Sequence, residues 1–99
     1  MTYTKKTINP TMAIDFTDQV VLVTGAGAGL GYSCAVAFAN AGAKLVVTDI
    51  SREGLDKVVQ ELENSGTEVL GLLNDVTHSS DVNAMLEAIV RRFGRLDIA

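Results

Sequence analysis

Residues 24–31 read TGAGAGLG and place a glycine at every second position from Gly25 to Gly31. Glycine loses more backbone freedom on folding than any other residue, and inside a regular element it is destabilising by roughly 0.5–1 kcal/mol relative to alanine. Glycines repeated at this density therefore indicate a backbone that must turn sharply or that another group must approach closely.

The segments on either side of the glycine run predict a strand and a helix. Residues 19–24, QVVLVT, are mostly β-branched or aliphatic, a pattern typical of a strand that is buried on both faces. After the run, apolar residues recur at helical spacing, and Gly42 follows as a stop. This apolar stripe consists of Leu30, Cys34, Ala37, Phe38 and Ala41. The glycines are therefore predicted to form the turn between the first strand and the first helix.

The same alternation of strand and helix continues to the end of the chain. Residues 44–49 and 67–73 are the second and third predicted strands, and residues 96–99 begin a fourth. Gly66 and Gly94 end the second and third predicted helices. The apolar stripes of these helices are Leu55, Val58, Val59 and Leu62 in the second and Val82, Met85, Leu86, Ile89, Val90 and Phe93 in the third. Both stripes are expected to face a core.

Strands and helices that alternate through short connections form parallel sheets with right-handed crossovers. The sequence therefore predicts an α/β fold, a doubly wound parallel sheet that is incomplete, with three full strands, three helices and the start of a fourth strand. At the incomplete edge, Leu96 and Ile98 are expected to be exposed and to promote association between copies.

Composition limits the class of protein. The 99 residues are 47% hydrophobic and 20% charged, which predicts one soluble globular domain and no membrane span. A net charge of −4 with interspersed signs gives no basic stripe for nucleic acid. Residues 1–14 lack the pattern of a secretory or transit signal and are predicted to be a loose leader. The single cysteine, Cys34, predicts a small, reduced, buried side chain in a cytoplasmic protein.

The position of the glycine run predicts an anion site. In doubly wound sheets ligands bind at the carboxyl ends of the strands. A helix N-terminus there presents unpaired N–H groups and a partial positive charge, and glycines let an anion approach the backbone. Gly25 would permit the turn, Gly29 would leave room for a pyrophosphate, and Gly31 would allow close packing of the helix. The alternative is a glycine-rich turn that binds nothing.

The spacing of the glycines discriminates among phosphate-binding loops. A P-loop requires Gly-Lys-Ser/Thr, whereas Gly31 is followed by Tyr32. The pattern GxGxxG fails because its last position would fall on Leu30 or Tyr32. The pattern that fits is TGxxxGxG, with Thr24, Gly25, Gly29 and Gly31 in place. This loop resembles the cofactor loop of the short-chain dehydrogenases and reductases, and residues 15–99 would then be the N-terminal part of a Rossmann-type dinucleotide-binding domain.

Asp49 lies at the end of the second predicted strand, 18 residues after Gly31, close to the separation at which an acidic residue reaches the adenosine ribose. Its carboxylate would accept hydrogen bonds from the ribose and repel a 2′-phosphate, which favours NAD over NADP. Two alternatives remain. Asp49 could merely cap the helix that begins near Ser51, and Arg52 could swing toward the ribose and tolerate a phosphate.

The resemblance implies further binding residues. The segment Asn74, Asp75, Val76 and Thr77 is similar to the family's adenine-contacting segment, in which Asp75 would accept from the exocyclic amine and Val76 would pack on the ring. A helix-capping role for Asp75 or Thr77 is the competing interpretation. The complete set implied to bind the cofactor is Thr24, Gly25, Gly27, Gly29, Leu30, Gly31, Asp49, Ile50, Asp75 and Val76. His78, the only histidine, predicts no metal site.

The family's catalytic serine and its tyrosine and lysine, spaced as YxxxK, find no match in this sequence. Tyr3 is followed at that spacing by Thr7, and Tyr32 by Val36. The resemblance thus implies the NAD-binding portion of an oxidoreductase acting on a small-molecule alcohol or carbonyl, homo-oligomeric when complete, with no activity in the 99 residues alone. Two other classes stay open: a nucleotide-binding or sensing module without catalysis, and a methyltransferase-like domain, where an acidic residue is expected in place of Thr24.

Overall fold

The computed structural model describes residues 15–99. The predicted leader, residues 1–14, lies outside the described residues. Three strands form one parallel sheet in the order β1-β2-β3. Their bounds are Val20–Thr24 for β1, Lys44–Asp49 for β2 and Val69–Leu73 for β3. Three helices alternate with them, Gly29–Asn40 (α1), Arg52–Asn64 (α2) and Ser79–Phe93 (α3). The predicted doubly wound α/β arrangement is confirmed.

The segment after α3 lies beside β1, on the edge opposite β2. Ile98 forms a parallel bridge with Val21, and the backbone N–H of Leu22 donates to the carbonyl oxygen of Ile98 at 2.8 Å. The predicted fourth strand is thus present as one bridge. Because the chain passes from β1 outward to β3 and then returns to the other side of β1, the order of strands reverses at β1. In an open α/β sheet this reversal marks the crevice where ligands bind.

Alternate residues of the buried strands face two different cores. Val21 and Val23 of β1 pack with α1 and α2 on one face of the sheet, through residues such as Ala35 and Leu55. The strand residues that alternate with these along the chain pack with α3 on the other face. The members of this second core are Val20, Leu22, Val46, Met85 and Ile89. Burial on both faces explains why the strands lack polar alternation. The parallel pairing places the carboxyl ends of β1, β2 and β3 at one edge of the sheet.

Several predicted positions differ from the structure. Leu30 is 81% exposed, because it lies in the first turn of α1, beyond the end of the sheet. Leu86 and Val90 of α3 are 42% and 62% exposed, since α3 packs on the sheet through Met85 and Ile89, with Val82 and Phe93 partly buried beside them. The expectation that the whole stripe of α3 faces a core was therefore wrong for Leu86 and Val90, and the apolar spacing of Leu30 does not make it a core residue.

Two further corrections concern the end of the chain and the cysteine. Leu96 and Ile98 are half-buried rather than exposed, because Leu96 packs against the α3 core and Ile98 against the core under α1 and α2. The intervening Asp97 ties this segment to β1, where the Val20 N–H donates to Asp97 Oδ2 at 2.8 Å. Cys34 is half-buried rather than buried, and it is a free thiol.

Candidate functional site

The N-terminus of α1 is open. Its N-cap residue, Ala28, makes no side-chain hydrogen bond to the first turn, and that turn contains no acidic residue. By contrast, α2 is capped by Ser51, whose Oγ accepts from the Gly54 N–H at 3.3 Å, and carries Glu53 in its first turn. Unpaired N–H groups at a helix start, with their partial positive charge uncompensated, favour an anionic ligand.

Two loop glycines leave the approach to these N–H groups clear, and a third lets α1 begin close to the loop. Gly25 and Gly29 have φ of +62° and +60°, which residues with a side chain rarely adopt. A Cβ added at either would meet nothing within 4 Å, so both glycines face open space. A Cβ at Gly31 would lie 2.2 Å from the Gly25 carbonyl oxygen. The first turn of α1 therefore packs against the loop backbone at a distance that only glycine permits.

The carboxylate of Asp49 is held against this loop. Its Oδ2 accepts from the Gly27 N–H at 2.9 Å and its Oδ1 from the Ser51 N–H at 2.9 Å. These backbone donors, Ser51 first and Gly27 second, lower the pKa of Asp49 below its ordinary value of 3.8. The group is ionised at neutral pH and keeps further lone pairs for ligand hydroxyls. The capping of α2 falls to Ser51 itself, so Asp49 is not its N-cap.

A cleft of about 310 Å³ opens at the carboxyl ends of the three strands. Its lining collects six of the predicted binding residues: Thr24, Gly25, Asp49, Ile50, Asp75 and Val76. Ile50 and Val76 are 74% and 46% exposed, and both contribute apolar surface to the cleft. A small volume, apolar walls and a few polar groups are typical of small-molecule sites.

The other predicted residues line two neighbouring hollows. Gly27 and Gly29 border a cavity of about 280 Å³ between α1 and α2, together with Tyr32 and Lys57. Leu30 and Gly31 border an apolar groove of about 400 Å³ beside β1. The three hollows meet at the glycine loop, so the structure brings all ten residues to one end of the sheet but not into one cavity.

Asp75 forms a local turn. Its Oδ1 accepts from the Thr77 N–H at 2.9 Å and from the Thr77 hydroxyl at 2.6 Å. These bonds, the hydroxyl first, lower the pKa of Asp75 below 3.8. The N-cap of α3 is His78, which makes no side-chain capping bond. The predicted alternative in which Asp75 or Thr77 caps α3 is therefore wrong, and Asp75 Oδ2, 3.7 Å from His78 Nδ1, stays at the cleft.

Arg52 points along its own helix. Its Nη1 lies 4.0 Å from Oδ1 of Asp56, one turn further along α2, and its side chain is 69% exposed. The Asp49 carboxylate is bonded to backbone N–H groups instead. The charge beside the glycine loop is consequently that of Asp49.

Two residues of the site are not in the predicted binding set: Asn74, which was named only as part of the segment 74–77, and Gly54. Asn74 is 9% exposed; its Nδ2 donates to the Asp81 carbonyl oxygen at 2.9 Å, while its buried Oδ1 has no hydrogen-bond partner among the described residues. Gly54 touches the loop at Gly27, where an added Cβ would lie 3.2 Å from the Gly27 Cα. The signal for Asn74 was a polar residue at the end of a buried strand. No local signal marks Gly54.

Within residues 15–99, no group of three or more histidine, cysteine, aspartate or glutamate side chains could hold a metal ion. Over the same residues, every helix is too short or too polar to cross a membrane. The site offers backbone N–H groups, the Asp49 carboxylate beside them, and a partly apolar cleft that Asp75 also lines.

Known proteins share both the sequence and this fold. The family model described as short chain dehydrogenase matches residues 19–99. Levodione reductase of Leifsonia aquatica is 46% identical over 84 residues, which cover 83% of this chain and 32% of the reductase. A short chain dehydrogenase/reductase of Burkholderia phymatum, solved in complex with NAD, superposes with a TM-score of 0.82 at 34% identity, over 86% of this chain and 31% of that one. NAD+-bound xylitol dehydrogenase superposes with a TM-score of 0.80 at 33% identity, over 84% of this chain and 32% of that one.

The fold and the glycine loop thus define a Rossmann-type nucleotide-binding unit, and the chain belongs to the short-chain dehydrogenase/reductase family. The resemblance drawn from TGxxxGxG is confirmed. The chain spans about a third of the length of the curated relatives it matches.

Proposed function

We propose that this chain is the NAD(H)-binding portion of a short-chain oxidoreductase, which transfers hydride between the nicotinamide and an alcohol or carbonyl substrate. The observation that carries the proposal is the open N-terminus of α1 with the ionised Asp49 bonded to the loop beside it. The first-turn N–H groups would hold the diphosphate of the cofactor. Asp49 would accept the ribose hydroxyls, and the cleft between Ile50 and Val76 would receive the adenine.

NAD is proposed over NADP on the same geometry. A 2′-phosphate would be placed next to a carboxylate that two backbone N–H groups fix in position. Unit charges about 4 Å apart interact by about 4 kcal/mol at an effective dielectric of 20, and partial exposure of Asp49 reduces this value. Arg52 turns toward Asp56, so it does not neutralise the repulsion.

We infer that the 99 residues alone are catalytically inactive. A tyrosine that exchanges a proton with a carbonyl oxygen near neutral pH needs a lowered pKa. Tyr32 has the opposite environment, because its hydroxyl donates to Glu61 Oε2 at 2.5 Å and this bond raises its pKa. In the complete enzyme we propose a small-molecule substrate, a homo-oligomeric assembly and a cytoplasmic location.

Calorimetric titration of the 99-residue chain tests the proposal. ADP-ribose should bind and S-adenosylmethionine should not, because only the former has a diphosphate for the first-turn N–H groups of α1. Binding of S-adenosylmethionine in preference to ADP-ribose would support the methyltransferase-like alternative and contradict the proposal. A nucleotide-binding module without catalysis would also bind ADP-ribose. A YxxxK motif encoded after codon 99 would favour the enzyme over that module.

A further inference from the structure

We propose that Gly54, in the first turn of α2, is a positioning residue that keeps Asp49 in place for the ribose. The inference rests on the proposed nucleotide-binding function. It adds a residue of α2, outside the glycine loop and the strand ends, to the set that determines how the site discriminates between sugars.

The contact between Gly54 and the loop is made by backbone atoms on both sides. A Cβ at Gly54 would lie 3.2 Å from the Gly27 Cα and 3.3 Å from the Gly27 carbonyl oxygen. A Cβ at Gly27 would lie 3.0 Å from the Gly54 Cα and 2.8 Å from Asp49 Oδ2. Gly54, Gly27 and Asp49 therefore form a row in contact, and the Gly27 N–H donates to Asp49 Oδ2 at 2.9 Å.

The helix alone gives no reason for glycine at this position. Alanine is more favourable than glycine in a helix by about 1 kcal/mol, and Gly54 is not among the glycines with positive φ. Contact with Gly27 supplies the reason, since any side chain at position 54 presses on the loop. Glycine at position 54 therefore lowers the stability of the helix locally, and it allows the first turn of α2 to contact the backbone of Gly27.

An added methyl group at position 54 would separate α2 from the loop by a few tenths of an ångström. The Gly27 N–H would move with the loop, and its bond to Asp49 Oδ2 would lengthen. Asp49 would then keep the Ser51 N–H as its remaining backbone donor, and the carboxylate would be free to rotate. The expected consequence is a loss of ribose recognition with little loss of diphosphate binding.

The test compares ADP with 2′-deoxy-ADP, which differ only in the hydroxyl offered to Asp49. Calorimetry on the wild-type chain should give an affinity for ADP at least about tenfold higher, the value of one charge-assisted hydrogen bond. In Gly54→Ala this ratio should fall to about twofold or less, because the carboxylate is no longer fixed. Gln60→Ala, on an exposed position of the same helix, is the matched control and should keep the wild-type ratio.

Two further measurements distinguish a positioning role of Gly54 from a general disruption of the fold. They are the melting temperature and the ratio of affinities in an Asp49→Ala background. Gly54→Ala should melt close to the wild-type temperature, because the preference of alanine for the helix offsets the strain of the contact. In an Asp49→Ala background, Gly54→Ala should leave the ratio unchanged, since the group it acts through is absent. Should Gly54→Ala fail to fold, Gly27→Ala presses on the same contact from the loop side and should lower the ratio likewise.

A wild-type ratio retained in Gly54→Ala would overturn the inference, as would an equal loss of affinity for both nucleotides accompanied by a lower melting temperature. If the wild-type chain binds neither nucleotide, the proposed function fails, and the inference that depends on it fails as well. The two failures are distinguishable, because the first requires a wild-type chain that binds ADP.

Discussion

Gly31→Ala is expected to destabilise the chain by about 1–3 kcal/mol and to lower its affinity for ADP-ribose by at least about 100-fold. The alanine Cβ would lie 2.2 Å from the carbonyl oxygen of Gly25, a separation that neither atom can tolerate. The first turn of α1 must therefore move away from the loop, and its N–H groups move with it. Chemical denaturation measures the first effect and calorimetry the second.

Gly66→Ala is the control for adding a methyl group to a glycine. A Cβ there would meet nothing within 4 Å, although the φ of +88° makes alanine strained. This variant should lose about 1–2 kcal/mol of stability and bind ADP-ribose as the wild type does. Wild-type affinity in Gly31→Ala would show that the close contact between α1 and the loop is not needed for binding.

Asp49→Ala is expected to weaken ADP-ribose binding by roughly 10–100-fold, because each charge-assisted hydrogen bond to a ribose hydroxyl contributes about 1.5–3 kcal/mol. The affinity for 2′-phospho-ADP-ribose should not fall in the same way, since the substitution also removes the repulsion of the phosphate. The selectivity for the unphosphorylated sugar should therefore decrease by at least about tenfold. Parallel titrations with the two ligands measure it.

Glu63→Ala removes the same charge from an exposed position on α2 and serves as the control for net charge. Its selectivity should equal that of the wild type. If Asp49→Ala and Glu63→Ala behaved alike, the preference between the two sugars would arise from the overall charge of the chain and not from the carboxylate beside Gly27.

The fold could be predicted in detail because its signals are local. Continuous β-branched and aliphatic runs mark strands that are buried on both faces, and β2 has the predicted bounds of Lys44–Asp49. Each predicted helix ends where a glycine follows, at Gly42, Gly66 and Gly94, all with positive φ. The alternation of these elements then leaves few topologies for a parallel sheet.

Exposure was predicted less well, because periodicity does not say how far a helix extends past the sheet. Leu30 has the spacing of a core residue but lies beyond the strand ends, and Val90 lies on a side of α3 that no described residue covers. Conversely, Ile98 is half-buried because one bridge to Val21 is enough to place it against the core. The exposure of these residues depends on how the helices and strands are placed relative to one another, which periodicity does not specify.

In the site, as in the fold, local sequence features could be predicted and contacts between separate elements could not. The pattern TGxxxGxG and the spacing to Asp49 are sequence features, and the structure brings these residues together through the Gly27 N–H. The contact of Gly54 with Gly27 joins residues from two different elements that share no motif. The orphaned Oδ1 of Asn74 likewise depends on where Asp81 holds the other end of the amide. Contacts of this kind follow from packing alone.

We propose that unobstructed main-chain N–H groups at the start of α1 bind the diphosphate of the cofactor. The most direct measurement is a two-dimensional amide NMR titration of the 99-residue chain with ADP. We expect the largest shifts at Gly29, Leu30 and Gly31, with smaller ones near Asp49 and Val76. Saturable binding that leaves the amides of Gly29, Leu30 and Gly31 unmoved, with the largest shifts at Lys57 and Glu61 in the cavity between α1 and α2, would contradict this proposal.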